Sequence, residues 1–383
     1  MAPVIGTARL DPGHANTLTV FLCGDVMLGR GIDQSFAQAC PPQLHEPFVQ
    51  DARDYIALAE EVNGPIPRPV GSDYVWGDAL AEWERRAPDV RLINLETSIT
   101  TREAWWRGKE IHYRMHPANI GCLTAARIDC CALANNHVLD WGTEGLLETL
   151  ACLRRVGIAT AGAGANLEEA RAPAVLDVPG KGRVLVFSLG TESSGIPAEW
   201  AAGKDRAGVE LLPELSPATA RSIGARVRAI RREGDLVIAS IHWGLNWGYQ
   251  VPWGQREFAR ALIDEAGVDI VHGHSSHHPR GIEVYQQRLI LYGSGDFLND
   301  YEGIRGYERF RGDLTLMYFA ALEPASGRLC SLSMTPMRVR RFRENRATTD
   351  EAEWLMRVLS REGERFGTRA VLEADDTLTL RWD

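Results

Sequence analysis

Five groups of side chains able to bind a metal or move a proton stand directly after short apolar runs in this sequence. They are Asp25 in CGDVML, Asn94 and Glu96 in INLET, Asn135, Asn136 and His137 in LANNHVLD, His242 in SIHWG, and His272, His274, His277 and His278 in VHGHSSHHP. Carboxylates and carboxamides offer oxygen ligands and imidazoles offer nitrogen ligands. That mixture suits zinc, manganese or iron better than calcium or magnesium, so one or two divalent ions (Mn, Zn or Fe) are the expected cofactor. A histidine left unligated is free to give or take a proton near neutral pH. Four of the ten histidines fall within seven positions, 272–278, a density that a solvent-facing accident does not readily produce. Singly, each group has a plainer reading. Asp25 suits a turn or a helix cap, Glu96 an arginine partner, the asparagines loose backbone groups, and His242 a satisfied core position. Their common placement, not any one of them, points to a metal site.

That placement is the C-terminal end of a strand, where the loops of an open α/β sheet converge over a rigid base. Buried strands are expected at Leu18–Cys23, Asp89–Leu95, Cys130–Leu133, Leu236–Ile241 and Val268–Val271. Helical spacing predicts helices at Asp51–Glu61, Thr143–Val156, Leu167–Ala170, Pro217–Arg232, Gly254–Ala266 and Asp350–Phe366. Val175–Val178 with Arg183–Ser188, and Ile282–Tyr285 with Leu289–Tyr292, read as hairpins. Strands follow at Leu314–Ala321, Leu329–Val339 and Thr377–Trp382. Strands alternate with helices early and hairpins dominate late, which predicts a mixed sheet pair with helices outside.

The chain has 383 residues, enough for a large core, and a formal charge of −9 from 51 acids against 42 bases. No long basic tract is present, which argues against nucleic acid as a partner; an anionic substrate would need a local basic pocket or a metal. The first apolar run, Leu18–Cys23, is far shorter than the ~18–20 residues of a membrane span, and the residues before it lack the basic start and long apolar stretch of a signal peptide, so neither is expected in this sequence. Seven scattered cysteines without a CxxC fit a reducing compartment, so a cytoplasmic location is expected and a thiolate zinc site is not.

The blocks GDVMLGRGID, NLETSIT, YRMHPANIGCLTAARIDCCALANNHVLDWGTEGLLETL, GIATAGAGANLEEARAP, IHWGLNWG, and GHSSHHP through IEVYQQRLILYGSGDFLNDY carry a resemblance. In order and spacing, over about residues 18–300, they resemble the CapA or poly-γ-glutamate capsule biosynthesis (PGA_cap) family, within the calcineurin-like metallophosphatase superfamily. The resemblance implies an α/β fold, a four-layer αββα sandwich of two mixed β-sheets flanked by helices. It implies a domain over 18–345 with an insertion at about 40–88, between an N-terminal arm (1–17) and a C-terminal helix and strand appendage (346–383). It also implies roles. Asp25, Glu96, Asn136, His242, His274 and His277 would bind metal, with His274 and His277 as the final histidine pair. His137 would stay unligated and serve catalysis, with Asp140 beside it.

Two departures stand out. Met27 occupies the histidine position of the superfamily's Asp-x-His start, and a thioether is a poor ligand for such ions. The last motif is wider than Gly-His-x-His, which leaves His272, His274, His277 and His278 unranked. Asp140, Asp296 and Asp300 are expected as structural aspartates or as acceptors for metal-bound histidines. Arg30, Arg114 and Asn135 are expected as substrate contacts, with internal ion pairs the competing reading for the two arginines. The expected activity is metal-assisted hydrolysis of an amide or phosphoester in an anionic γ-glutamyl or phosphorylated substrate. Its rivals are a non-catalytic polyanion-binding accessory role in capsule synthesis and a generic phosphodiesterase.

Overall fold

The computed structural model describes residues 17–383, so all but Thr17 of the expected N-terminal arm lies outside the described residues. Two mixed sheets form the centre. The larger, ten-stranded sheet holds β1 (Leu18–Val26), β2 (Val90–Leu95), β3 (Cys130–Ala132) and β4 (Ala159–Ala161) in parallel. The smaller, six-stranded sheet consists of β5 (Ala174–Val178), β6 (Gly182–Gly190), β7 (Leu236–His242), β8 (Ile270–His274), β9 (Ile282–Tyr285) and β10 (Arg288–Leu291), in the order β9-β10-β8-β7-β6-β5. Six further strands join the larger sheet: β11 (Asp296–Leu298), β12 (Leu314–Glu323), β13 (Arg328–Val339), β14 (Glu344–Arg346), β15 (Thr368–Leu372) and β16 (Leu378–Trp382), while two short two-stranded pairs, Ser98–Ile99 with Arg114–Met115 and Ala163–Gly164 with Gly208–Val209, stand apart from both sheets. Its order is β15-β16-β13-β12-β1-β2-β3-β4, with β11 paired to β1 and β14 to β13.

Alternation along the strands builds the layers. Leu18, Val20 and Leu22 of β1 meet Val184, Val186, Leu236, Ile238 and Ile270 of the smaller sheet in one buried layer between the sheets. Phe21 and Cys23 point the other way, onto α1 (Arg53–Asn63), α2 (Ala79–Arg86) and α3 (Gly142–Arg155). On the far side, Leu185, Val237 and Ile241 pack on α4 (Pro217–Ile230) and α5 (Trp253–Ala266). The result is the four-layer αββα sandwich. Among the described residues no helix is long and apolar enough to cross a membrane.

Two boundaries differ from expectation. Residues 40–88 are not a surface insertion: Trp76 and Trp83 are buried beside Phe21 and Phe297, so this segment is the cover of the larger sheet. Pro and Gly richness hides that role, because isolated tryptophans set no helical or strand period. Residues 346–383 are not an appendage either. β16 pairs with β13, while α6 (Thr349–Gly363), opened by a Thr348/Glu351 capping box, buries Leu355 and Leu359 in the layer between the sheets. The strand β15, unforeseen in the sequence, completes that edge.

Candidate metal centre

The centre lies at one end of the layer between the sheets, and a bulge puts its first acid there. Leu22 pairs with Leu92 and Asp25 with Asn94, so β1 carries one extra residue between them. Without it Asp25 would face the helices with Phe21 and Cys23; the extra residue turns its carboxylate to the side of Leu22. Gly24 allows this, because a Cβ there would lie 1.7 Å from the Gly295 carbonyl oxygen. On the smaller sheet, Ser240 and His242 share a face with Ile238, and His272 and His274 share a face with Ile270. His242 pairs in register with His274. The two histidines are thus the last residues of their strands, not loop residues.

The tautomers follow from a relay of hydrogen bonds, assigned from its partners. Cys23 offers only its carbonyl oxygen to His272 Nε2, 2.7 Å away, so that nitrogen carries the hydrogen. His272 Nδ1 then accepts from the Ser240 hydroxyl at 3.1 Å, and Ser240 Oγ accepts from His274 Nε2 at 2.9 Å. His274 Nδ1 is left with a free lone pair, 3.7 Å from Asp25 Oδ1 and 2.8 Å from His242 Nδ1. His242 Nε2 lies 2.9 Å from Asn136 Oδ1, and its Nδ1 lies 4.0 Å from Asp25 Oδ1. Burial pushes the pKa of both imidazoles well down, so they stay neutral, the form that ligates.

A second group adjoins it. His277 Nδ1 lies 2.8 Å from Asp296 Oδ1, and ligand atoms of Asp25, His277 and Asp296 fall within 4.8 Å of one another, as do those of Asp25, His242 and His274. Burial opposes charge on His277, but Asp296 and Asp25 outweigh it and hold its pKa above the ordinary range. Burial, then the Asp296 charge, pushes Asp25 up to about 7. Burial and the Asp25 and Asp296 charges push Glu96 well above the carboxylate range, and its buried Oε2 has no hydrogen-bond partner. Crowded buried acids, an orphaned carboxylate oxygen and converging imidazole nitrogens fit a divalent cation, which would relieve the repulsion and use the orphan.

Beside these ligands His137 Nε2 lies 3.6 Å from Glu96 Oε1. Its Nδ1 donates to Asp140 Oδ2 at 2.6 Å, while Lys109 Nζ donates to Asp140 Oδ1 at 2.6 Å and to the Asn136 carbonyl oxygen. Burial pushes His137 down to about 4, with Lys109 adding to the fall and Asp140 opposing it. His137 is therefore neutral, with its Nε2 lone pair turned to the ligands. Asn136 is half-buried at this edge, and the Trp247 ring lies 5.4 Å from that of His277.

The fold gathers Asp25, Glu96, Asn136, His137, Asp140, His242, His274 and His277 at one place. It directs three others elsewhere. Arg30 is enclosed by Asp300, Glu46 and Tyr55. Arg114 lies over Trp141 at 3.7 Å and donates to the Arg102 and Pro41 carbonyl oxygens. Both guanidiniums, expected to meet substrate, thus have internal partners, because nearness in sequence to a rim does not set side-chain direction. Asn135 is fully buried and ties the strand ends together through Asn94, the Leu95 carbonyl oxygen and the His137 amide. His278 stacks on Phe310 and accepts from the Gly248 amide, apart from the ligands. Lys109 went unnoticed in the sequence, being one lysine in a polar loop. Asp296 had a signal, since SGDF repeats the Gly-Asp pattern of CGDV.

Comparison with known proteins follows the same outline. The family model described as "Bacterial capsule synthesis protein PGA_cap" matches residues 19–301. A Mycobacterium tuberculosis protein named as a probable polyglutamine synthesis accessory protein is 50% identical over 369 residues, 96% of this chain and 97% of that protein. The PGA biosynthesis protein CapA of Bacillus subtilis is 28% identical over 313 residues, 82% of this chain and 70% of its own. The solved structure of a phosphatase from Mycoplasma pneumoniae aligns with a TM-score of 0.48 at 11% identity, over 86% of this chain and 95% of that one.

Proposed function

The chain belongs to the bacterial capsule synthesis protein family PGA_cap, and from that premise we propose that it is a metal-dependent hydrolase of poly-γ-glutamate or capsule metabolism. The observation that carries the reading is the convergence of Asp25, His242 and His274 ligand atoms from the two sheets, with the unbonded Glu96 Oε2 alongside. Its substrate would be an anionic γ-glutamyl amide or a phosphoester. When bound, a divalent cation supplies a water of lowered pKa and neutralises charge that builds on the oxygen of the cleaved group.

The residues of the chain supply the rest. Asp25, Glu96, Asn136, His242, His274 and His277 would hold the cation, in oxygen and nitrogen contacts that suit manganese, zinc or iron. Asp140 fixes the Nδ1–H tautomer of His137, so Nε2 meets the substrate as a base. It takes a proton from the attacking water, then returns it to the leaving group. Lys109 braces Asp140 through an ion pair and so helps to hold the His137 ring in place.

The test is metal analysis of the purified protein, followed by turnover of γ-glutamyl oligomers and of bis-nitrophenyl phosphate with and without chelator. Bound Mn, Zn or Fe with chelator-sensitive cleavage is expected, and the cleaved substrate identifies the bond. Asn136→Ala should release metal; His137→Ala should retain it and lose turnover. A metal-free, inert protein that binds polyglutamate tightly would replace this reading with the accessory role that the name of the Mycobacterium tuberculosis relative suggests.

A further inference from the structure

Away from the strand ends, an open groove of about 420 Å³ is lined by the loop around Arg309, by Tyr249 and by helix α6. Phe310, Trp354 and Val358 make much of it apolar, and its charged groups are two guanidiniums, Arg309 and Arg361. No carboxylate lines it, in a chain of formal charge −9. Arg309 stands over the Phe310 ring at 4.5 Å and has no carboxylate partner among the described residues. Arg361 stands over the Tyr249 ring at 4.9 Å and engages one carboxylate, Glu362, through Nε at 2.7 Å. Both arginines are exposed, whereas Phe310 is buried and Tyr249 half-buried, with ring centroids 5.3 Å apart. Trp247 joins this aromatic floor to the strand-end centre, its ring 5.4 Å from Phe310 and 5.4 Å from His277.

Resting on the γ-glutamyl reading above, we propose that this groove is a distal subsite for an anionic γ-glutamyl chain, in which Arg309 and Arg361 take carboxylates of residues outside the reacting bond. A γ-linked glutamate alternates one carboxylate with a pair of methylenes, and its repeat spans roughly 6 Å when extended. The floor offers the same alternation, two rings about that far apart, each topped by a guanidinium. Methylenes lie on the rings while carboxylates meet the guanidiniums, whose stacking limits the side-chain freedom lost on binding. A short substrate held at the strand-end centre gains nothing from the groove. A chain long enough to pass Trp247 is held at both places and binds more tightly. The competing role for the two arginines is that of solvated charges that only cover the rings.

Titration calorimetry of a γ-linked glutamate decamer into the full chain, at low and at high salt, separates the two roles. Arg309→Ala/Arg361→Ala should bind the decamer ~10-fold more weakly than the wild type, the joint effect of two exposed ion pairs, and should lose part of the salt dependence. Equal decamer affinity in variant and wild type, or no decamer binding by the wild type, would overturn the subsite. An equal fall for a γ-glutamyl dipeptide, too short to leave the centre, would overturn its distal placement. A polyuronate of equal charge that binds more tightly than the decamer, and loses that advantage in the variant, would overturn the γ-glutamyl occupant. Should the double variant not fold, Arg309→Glu, which breaks no ion pair, carries the same expectation: weaker decamer binding supports the subsite and unchanged binding overturns it. The titration reads binding without turnover, so a metal-free or inert protein would remove the hydrolase reading and leave this result to stand or fall by itself.

Discussion

Asp140→Asn isolates the arrangement that sets the protonation of His137. Asp140 receives three donors: Lys109 Nζ at 2.6 Å on Oδ1, and His137 Nδ1 at 2.6 Å and the Tyr113 amide at 2.7 Å on Oδ2. Asparagine fills the same volume with one acceptor oxygen and an NH2 group, so one edge must confront a donor. If the oxygen keeps His137 and Tyr113, the NH2 faces the Lys109 ammonium; if the amide flips, His137 loses its acceptor. Hydrogen bonds to charged groups contribute ~1.5–3 kcal/mol each, and Lys109 is too enclosed to rehydrate fully, so the variant should lose about 2–4 kcal/mol of stability. It should keep its metal, since Asp140 touches no ligand atom but the His137 neighbour. Keeping the oxygen toward the Lys109 ammonium turns the NH2 group to His137 Nδ1, so the His137 hydrogen moves to Nε2, and the lone pair that would take a proton from water is gone. Turnover should fall by about 10²–10⁴-fold. Urea unfolding, metal analysis, steady-state kinetics and nitrogen-15 shifts of the His137 ring read the four effects separately. Wild-type turnover in a variant whose His137 ring has changed tautomer would refute the reasoning.

Other perturbations test the surroundings. Arg30→Met leaves buried Asp300 and Glu46 without their guanidinium and should cost ~3–5 kcal/mol in urea unfolding with metal content unchanged. A rise in KM at unchanged stability would instead mark Arg30 as a substrate contact. Glu344 is a buried acid whose pKa burial pushes well above the ordinary range, against hydrogen bonds from Thr315. Its protonated form is the one the fold prefers. Stability tied to it is therefore full below the unfolded-state pKa and is lost as pH rises toward the folded-state value. Glu344→Gln should accordingly gain on the wild type from about pH 5 to about pH 8 in unfolding midpoint, and a gap independent of pH would contradict this. Removal of divalent cations should lower the melting temperature, because Asp25, Glu96 and Asp296 then repel one another. Titrating manganese back to about a hundredfold excess over its Kd should restore ~2.7 kcal/mol; an unchanged melting curve would count against a cation at the centre.

Much of this protein is set by local pattern. Short apolar runs before Asp25, Glu96, Asn136 and His242, and helical spacing in between, determine a layered α/β sandwich whose strand ends carry oxygen- and nitrogen-bearing side chains, because strand and helix patterns are properties of neighbouring residues. The spacing of those residues also determines which donor atoms are available. What no local pattern holds is direction and partnership. The bulge at Gly24 that turns Asp25 between the sheets depends on the approach of Gly295, some 270 residues away in sequence. The lone pair on His274 depends on a relay that ends at the Cys23 carbonyl oxygen of the other sheet. Lys109 and Asp296 reach the centre from a loop and a three-residue strand with no period of their own, while Arg30 and Arg114, beside the rim in sequence, turn to inner partners. Tertiary structure decides these because hydrogen-bond and ion-pair partners are chosen by proximity in the folded chain, and burial raises the cost of leaving any of them unmatched.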